Sequence, residues 1–230
     1  MDVDLDHLLR DFPYEPGRLN ARLIRLEDGR EVLQVRVEMG LLQMEAEGRP
    51  DRKELRFHPS ETVPTPLGPA NAAAIRLELV QFQQRAIAFL AIGEPRRALA
   101  DADHVLAGAA HLVRWAPEQE AEWAEGARFS AIVLRTRAAA SMLAIGGRGR
   151  EAGAIIDAGL ALLRDSAERS GIGEHFDALG DVTALRALRE TLVPQLPPAQ
   201  RSELESRLRA AIQSENFELA AILRDELRLM

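Results

Sequence analysis

The chain has 230 residues, of which 47% are hydrophobic, enough for one large or two small domains with buried cores. Its formal net charge of -7 disfavours a general nucleic-acid-binding role, because phosphate contacts require a clustered basic face. The absence of cysteine excludes disulfide bonds and thiolate metal sites, and the single lysine, Lys53, excludes a Gly-Lys-Ser/Thr phosphate-binding loop.

The start of the chain is acidic and lacks the apolar core of a secretory signal. No apolar run approaches the length that a membrane span requires. These two features predict a cytoplasmic protein.

Residues 1–48 are predicted to form a small domain built on an antiparallel β-meander. Branched residues between Leu19 and Leu26 indicate a first strand, and Asp28-Gly29 is typical of a tight hairpin turn. Two alternating segments follow, with apolar residues at Leu33, Val35, Val37, Leu42, Met44 and Ala46. One face of the sheet is therefore apolar and must be covered, either by the helical part of the chain or by a second copy.

Residues 49–70 are predicted to be an extended linker, because their composition changes abruptly. The segment contains several charges, an isolated Phe57, and prolines at Pro50, Pro59, Pro64, Pro66 and Pro69. An alternative is that residues 61–64 line a binding groove.

Residues 71–196 are predicted to be helical and resemble tetratricopeptide repeats. The resemblance rests on two copies of Leu-Ala-Ile-Gly, at 90–93 and 143–146, and on the small and apolar residues Ala86, Ala88, Phe89, Ala98, Leu99, Leu106, Ala138, Ala140, Ala152 and Leu160. The two copies are 53 residues apart, whereas repeats of that family are about 34 residues long. Residues 177–193 are predicted to supply a capping helix, and a generic helical bundle is the alternative.

Residues 197–230 are predicted to form a helical hairpin. Ser202 and Glu205 match a capping box after a proline pair, which indicates the start of the first helix. The polar segment 214–216 separates that helix from a second one, which begins at Phe217. Apolar residues cover a sector of the second helix wider than one partner helix can hide: Leu219, Ala220, Ile222, Leu223, Leu227, Leu229 and Met230.

Residues 216–228 resemble the UVR motif, which UvrB and UvrC share with some Clp-type chaperone ATPases and with adaptors of the bacterial arginine-kinase system. An aromatic residue followed by an acid, an alanine pair and a Leu-Arg-Asp run carry the resemblance. It implies a hairpin that binds another protein, often another UVR hairpin. The residues predicted to bind are Leu208, Ile212, Phe217, Ala220, Ala221, Leu223, Arg224, Asp225 and Leu227.

The sequence predicts no catalytic, cofactor-binding or metal site. His104 and His111 share a helical face near Asp101 and Asp103, but a solvated face explains them better than a metal site does. Trp115 and Trp123 are expected to pack in the core, and the alternative is an aromatic pair that grips a peptide.

The sequence therefore predicts an α+β, mostly α, protein that acts as a non-enzymatic adaptor. A C-terminal UVR hairpin would dock a partner protein, such as another UVR-containing protein, by burying Phe217, Ile222, Leu223 and Leu227. The alternative is an accessory factor in nucleotide excision repair, and a third is an enzyme with an unrecognised site. A weak homodimer is expected, in competition with a hairpin folded back on its own chain.

Overall fold

The computed structural model describes residues 6–59, 66–193, 198–214 and 216–229, without the side chains of residues 6, 198–202 and 225–229. The strands are β1 (Asn20–Arg25), β2 (Glu31–Val37) and β3 (Gly40–Glu45). The helices are α1 (Asp6–Asp11), α2 (Pro69–Ala91), α3 (Pro95–Trp115), α4 (Glu118–Ile145), α5 (Gly149–Arg169), α6 (Gly180–Leu192), α7 (Pro198–Gln213) and α8 (Phe217–Leu229), with a 3-10 helix at Gly173–Ala178. This architecture confirms the predicted α+β, mostly α, class.

Among the residues that the structure describes, no helix is both long enough and apolar enough to cross a bilayer.

The predicted meander is confirmed, with antiparallel strands in the order β1-β2-β3. Its register places Leu23 opposite Leu33 and Leu33 opposite Met44, so apolar side chains gather on one face. That face packs on α2, α3 and α4 in a shared core of Leu33, Val35, Met44, Ala46, Ala86, Ala88, Phe89, Ala98, Ala102, Leu134 and Ala138. The helical body, not a second copy, covers the sheet, so the sheet gives no support to the expected homodimer.

The opposite face of the sheet is polar in sequence but largely buried at its central strand. Gln34 accepts a hydrogen bond from Arg22 Nε (2.9 Å) and donates one to Gln43 (2.9 Å). Arg36 donates to the carbonyls of Phe12 (3.0 Å) and Gly40 (2.9 Å). Because each polar group has a partner, the segment that follows α1 can cover this face without a large desolvation penalty.

Residues 49–58, part of the predicted linker, pack against the helices. Glu78 of α2 is fully buried and accepts hydrogen bonds from the backbone amides of Arg56 (2.6 Å) and Phe57 (3.4 Å). Phe57 itself is buried in a core shared with α2, α3 and α4. Phe57 thus anchors residues 49–58 to the helices. The domain boundaries stay a prediction. Residues 61–64, the alternative binding groove, lie outside the described residues.

A buried ion pair joins the sheet to the helices. Arg85 of α2 pairs with both carboxylate oxygens of Asp101 on α3, at 2.8 and 2.7 Å. Its Nη1 atom also donates to the carbonyls of Glu45 and Gly48, both at 2.8 Å, where the chain leaves β3. One side chain therefore connects β3, α2 and α3.

The helical body is built from short helix connections that recur. Gly93 after α2 and Gly147 after α4 both have positive φ, 76° and 73°, a conformation that glycine adopts without strain. In both turns the next residue donates back five positions, Glu94 to Phe89 and Arg148 to Leu143, as in a Schellman cap.

The two Leu-Ala-Ile-Gly copies differ at this turn. Gly93 closes the first copy, but Gly146 of the second has φ -79° and the left-handed residue is Gly147. The equivalent turns are thus one residue further apart than the sequence match predicts. Tetratricopeptide-like packing stays a prediction.

The predicted capping helix at 177–193 corresponds to the end of the 3-10 helix and to α6. Val182 and Leu185 of α6 are fully buried against Ile156 and Leu163 of α5. This segment closes the apolar face that α5 would otherwise expose.

One glycine sets the distance between α4 and α5. A Cβ atom at Gly159 would lie 2.2 Å from Thr136 Oγ1, well inside van der Waals contact. Thr136 is buried and β-branched, so its side chain has little freedom to move away.

We expect Gly159→Ala to lower the free energy of unfolding by about 1–3 kcal/mol, because the added methyl group forces the helices apart. Gly126→Ala, in α4, is the matched control, since a Cβ atom there meets nothing within 4 Å. Removing that glycine should be neutral or stabilise the helix by up to about 1 kcal/mol. Urea unfolding followed by circular dichroism measures both, and equal effects would contradict the packing argument.

Candidate functional site

The C-terminal hairpin begins earlier than the sequence predicts. Helix α7 starts at Pro198, so Ser202, the expected cap, lies inside the helix. Proline is favoured in the first helical turn because its missing N–H would have no partner there and its φ already suits a helix. The side chain of Ser202 lies outside the described residues, and the capping-box geometry with it.

The turn between α7 and α8 has a well-defined helix cap. Asn216 Oδ1 accepts a hydrogen bond from the backbone amide of Leu219 at 3.1 Å, which is the geometry of an N-cap. The amide of Asn216 donates to the carbonyl of Ala211 (2.9 Å), and Glu218 places a negative charge in the first turn of α8. The predicted break between the helices is confirmed, with Glu215 outside the described residues.

The hairpin has a small hydrophobic core of its own. Ala211, Ala220 and Leu223 are buried there, with Leu204 and Leu208 packed against them. The alanines allow the two helices to approach closely. Within the part of the chain that the structure describes, α7 and α8 pack with each other and make at most marginal contact with other elements.

A second set of apolar side chains in the hairpin is exposed. Phe217 is 69% exposed and Ile222 is 59% exposed, both in α8. Leu219 of α8 and Ile212 near the end of α7 are also exposed. Isolated exposed apolar residues are common, but four in a two-helix unit are more than solubility favours. We call Ile212, Phe217, Leu219 and Ile222 the outer apolar set.

The structure divides the predicted binding residues into two groups. Leu208, Ala220 and Leu223 belong to the hairpin core, whereas Ile212 and Phe217 belong to the outer apolar set. Ala221 is partly exposed and the Arg224 side chain is exposed. Asp225 and Leu227 lie in α8, but their side chains are outside the described residues.

The sequence predicted that Ile222 contributes to binding, whereas Leu219 was placed only in the apolar sector of the second helix. The signal in the sequence that could have identified both side chains as exposed is their spacing from Leu223. Leu223 and Ala220 are three residues apart and share the face that packs on α7, so Ile222 must point elsewhere.

Residues 199–230 match the family model of the UvrB/uvrC (UVR) motif. The match covers α7 and α8 and no other element, and the UVR motif is a protein-interaction motif. Comparison with curated proteins and with solved structures found no match. The resemblance seen in the sequence is confirmed for this hairpin.

The predicted solvated face is wrong for Asp101 and His104, because both side chains are largely buried and have protein partners. His104 Nε2 lies 3.0 Å from Glu78 Oε1, and its ring stacks on Phe82 with centroids 4.0 Å apart. Asp101 is engaged by Arg85, and Asp103 accepts a hydrogen bond from Arg135 at 2.7 Å. Among the described residues, no three His, Asp or Glu side chains converge as a metal site would require.

The pKa values of the two buried carboxylates shift in opposite directions. Burial alone would raise the pKa of Glu78, but hydrogen bonds from His104 and from the amides of Arg56 and Phe57 outweigh it and lower the pKa. For Asp101, burial dominates and raises the pKa, although Arg85 opposes the rise. Both carboxylates hold elements together, so their charges are accounted for by the fold.

The two tryptophans do not share a helix. Trp115 ends α3 and Trp123 lies in α4, with Pro117 between them. Trp123 is partly buried in a core cluster, and the Arg76 guanidinium lies 5.0 Å from its ring centroid. These contacts favour packing over the aromatic peptide grip.

We expect Leu223→Ala to destabilise the hairpin by about 2–4 kcal/mol, because Leu223 is 2% exposed and its loss leaves a cavity between the helices. The neighbouring Ile222→Ala should change the stability by less than about 0.5 kcal/mol, because that side chain is exposed. Hydrogen exchange of the α7 and α8 amides reports on both variants. Equal loss of protection in the two would contradict the assignment of the core.

Proposed function

We propose that this protein is a non-enzymatic adaptor that docks a partner protein through the outer apolar set of its C-terminal UVR hairpin. The exposure of Phe217 and Ile222 within the matched motif is the observation that supports this most directly. The predicted contributions of Arg224 and Asp225, which would set the register of the complex, are part of the same proposal.

The division of the hairpin into a core and an outer set favours docking. Leu223 and the alanines hold the helices together, so the outer side chains are arranged before a partner arrives. Preorganisation lowers the conformational entropy lost on binding. Burying the outer set yields about 25 cal/mol for each Å² of apolar surface, and an aromatic anchor such as Phe217 typically contributes most.

The proposed partner is another protein with an apolar helical surface, such as a second UVR-containing protein. Exposed apolar side chains on a helical hairpin are best matched by helices that present their own apolar side chains, as in helix-in-groove recognition. We propose no cofactor, no nucleic acid and no membrane in this interaction, and a cytoplasmic location fits it.

The second candidate function is an accessory role in nucleotide excision repair, favoured by the match to a motif named after UvrB and UvrC. Purified UvrB and UvrC are the probes for this candidate. Saturable binding to either one supports it, whereas binding to duplex DNA alone at low salt would indicate a different mode of action.

We expect the double variant Phe217→Asp/Ile222→Asp to lose partner binding by about 30-fold or more, since each charge would have to be buried without a counter-ion. The affinity-tagged full chain captures its partner, which quantitative mass spectrometry identifies and measures. Leu162→Asp is the matched control, because Leu162 is 52% exposed on α5, outside the hairpin.

Both variants should keep the parent's helical circular dichroism, because the substituted side chains are exposed. If the double variant retains the partner captured by the parent, or if the Leu162 control loses it equally, the docking role of the hairpin is wrong.

A further inference from the structure

The two edges of the β-sheet differ in how the chain covers them. Strand β1 forms one edge and β3 the other, because the strand order is β1-β2-β3. At the β3 edge the amide of Glu45 donates a hydrogen bond to the carbonyl of Pro50 at 3.0 Å, so the turn after the strand occupies part of that edge. Among the described residues, no backbone hydrogen bond from outside the sheet reaches β1.

The pairing of β1 with β2 determines which backbone groups of β1 point outwards. At the hairpin turn the amide of Leu26 donates to the carbonyl of Arg30 at 2.8 Å, so these two residues form a hydrogen-bonded pair. Hydrogen-bonded pairs alternate with non-hydrogen-bonded ones along an antiparallel ladder. Counting back from Leu26 along the register, the residues whose N–H and C=O groups point away from the sheet are Ala21, Leu23 and Arg25.

An open groove continues from this edge at the start of β1. It has a volume of about 590 Å³ and lies between the end of α2 and the segment before β1, with Leu19, Ala21, Ala91 and Ile92 among its lining residues. Leu19 is 44% exposed and Ala21 is half-buried. An extended strand added to β1 would therefore bury apolar side chains and also bind the outward-pointing backbone groups.

Strand β1 is basic, and neither of its two arginines has an ion-pair partner within the part of the chain that the structure describes. Arg22 donates to the Gln34 side chain and to a backbone carbonyl, and Arg25 is exposed. Glu31 lies opposite Arg25 in the register, but Arg97 binds Glu31 at 2.6 Å. The β1 edge therefore presents positive charge beside free backbone groups.

A second copy of β1 is a poor match for this edge. The strand contains no acidic residue, so pairing two copies would bring the arginines of both strands together without a carboxylate between them. Like charges in neighbouring strands are destabilising, and charged edge strands are a common defence against self-pairing. A strand with acidic residues at the matching positions would turn the same charges into attractive contacts.

We propose that the β1 edge is a second docking surface of this protein, which binds an extended acidic segment of a partner protein as a fourth, antiparallel strand. Alternate backbone groups of that segment pair with Ala21, Leu23 and Arg25. Its acidic side chains lie opposite Arg22 and Arg25, and its other side chains are apolar, to match Ala21, Leu23 and Ile24. This surface is separate from the outer apolar set of the hairpin, for which we proposed a helical partner.

The register of β1 defines a peptide probe. An antiparallel peptide with the core Glu-Val-Val-Glu-Val places its glutamates opposite Arg25 and Arg22. Fluorescence anisotropy of the labelled peptide with the full chain at low salt should show saturable binding. Replacing both glutamates by lysine should weaken binding by about 10-fold or more, because both positions then repel. Equal affinity of the two peptides, or no saturable binding of the glutamate peptide, overturns the proposal.

A backbone-modified peptide separates strand pairing from simple charge attraction. Methylation of the amides of the first, third and fifth core residues removes the donors that face β1 and keeps every side chain. This peptide should bind about 10-fold more weakly or worse, because backbone hydrogen bonds to the edge are lost. Undiminished binding would mean that the arginines attract the peptide without strand pairing, and it overturns the proposal.

A charge-reversal variant locates the site on the protein. Arg25 is exposed, so Arg25→Glu should keep the parent's circular dichroism. It should bind the glutamate peptide about threefold more weakly and bind a peptide with lysine only at the first core position about threefold more tightly. Phe217→Asp/Ile222→Asp should bind the glutamate peptide as the parent does. An unchanged preference in Arg25→Glu, or loss of binding in the hairpin variant, overturns the proposal.

Two further measurements identify other occupants of the edge. Ala21→Pro removes one outward-pointing amide, a change that an edge strand tolerates. If sedimentation shows a parent that self-associates and an Ala21→Pro variant that does not, the edge belongs to a second copy and the proposal is wrong. Peptide binding that is seen only after deletion of residues 1–5 would assign the edge to that segment and would equally overturn the proposal.

Discussion

The buried pair of Arg85 and Asp101 is the interaction on which the rest of the fold depends. The guanidinium joins α2 to α3 through two hydrogen bonds to the carboxylate and holds the end of β3 through two backbone carbonyls. A buried pair is costly unless its remaining donors and acceptors are satisfied. Here the last residue of β3 and the turn that follows it supply the acceptors, so Arg85 ties the sheet to the helices.

Sequence patterns predicted the meander, the helices and the C-terminal hairpin because each depends on local periodicity and turn chemistry. They could not predict the burial of Glu78 and Arg85, since a charge in a helix normally faces water and its partners here are distant in sequence. The same limit applies to Phe57, which anchors a segment whose composition is typical of a linker. Within the hairpin, the motif identified the unit, but only the packing separated Leu223 from Ile222.

Exposed apolar side chains distinguish the hairpin, where Phe217 and Ile222 are the two most exposed members of the outer apolar set. These side chains lie within a protein-interaction motif. Because the hairpin has its own core, it does not need the helical body in order to present its outer side chains.

The central claim is that the hairpin is a docking unit and not a support of the body. Hydrogen exchange of the full chain and of a chain ending at Val193 tests it most directly. The account predicts that the protection of the amides in α2 to α6 is the same in both chains, because the core clusters of the body contain no hairpin residue among those that the structure describes. Loss of protection across those helices in the shorter chain would contradict it.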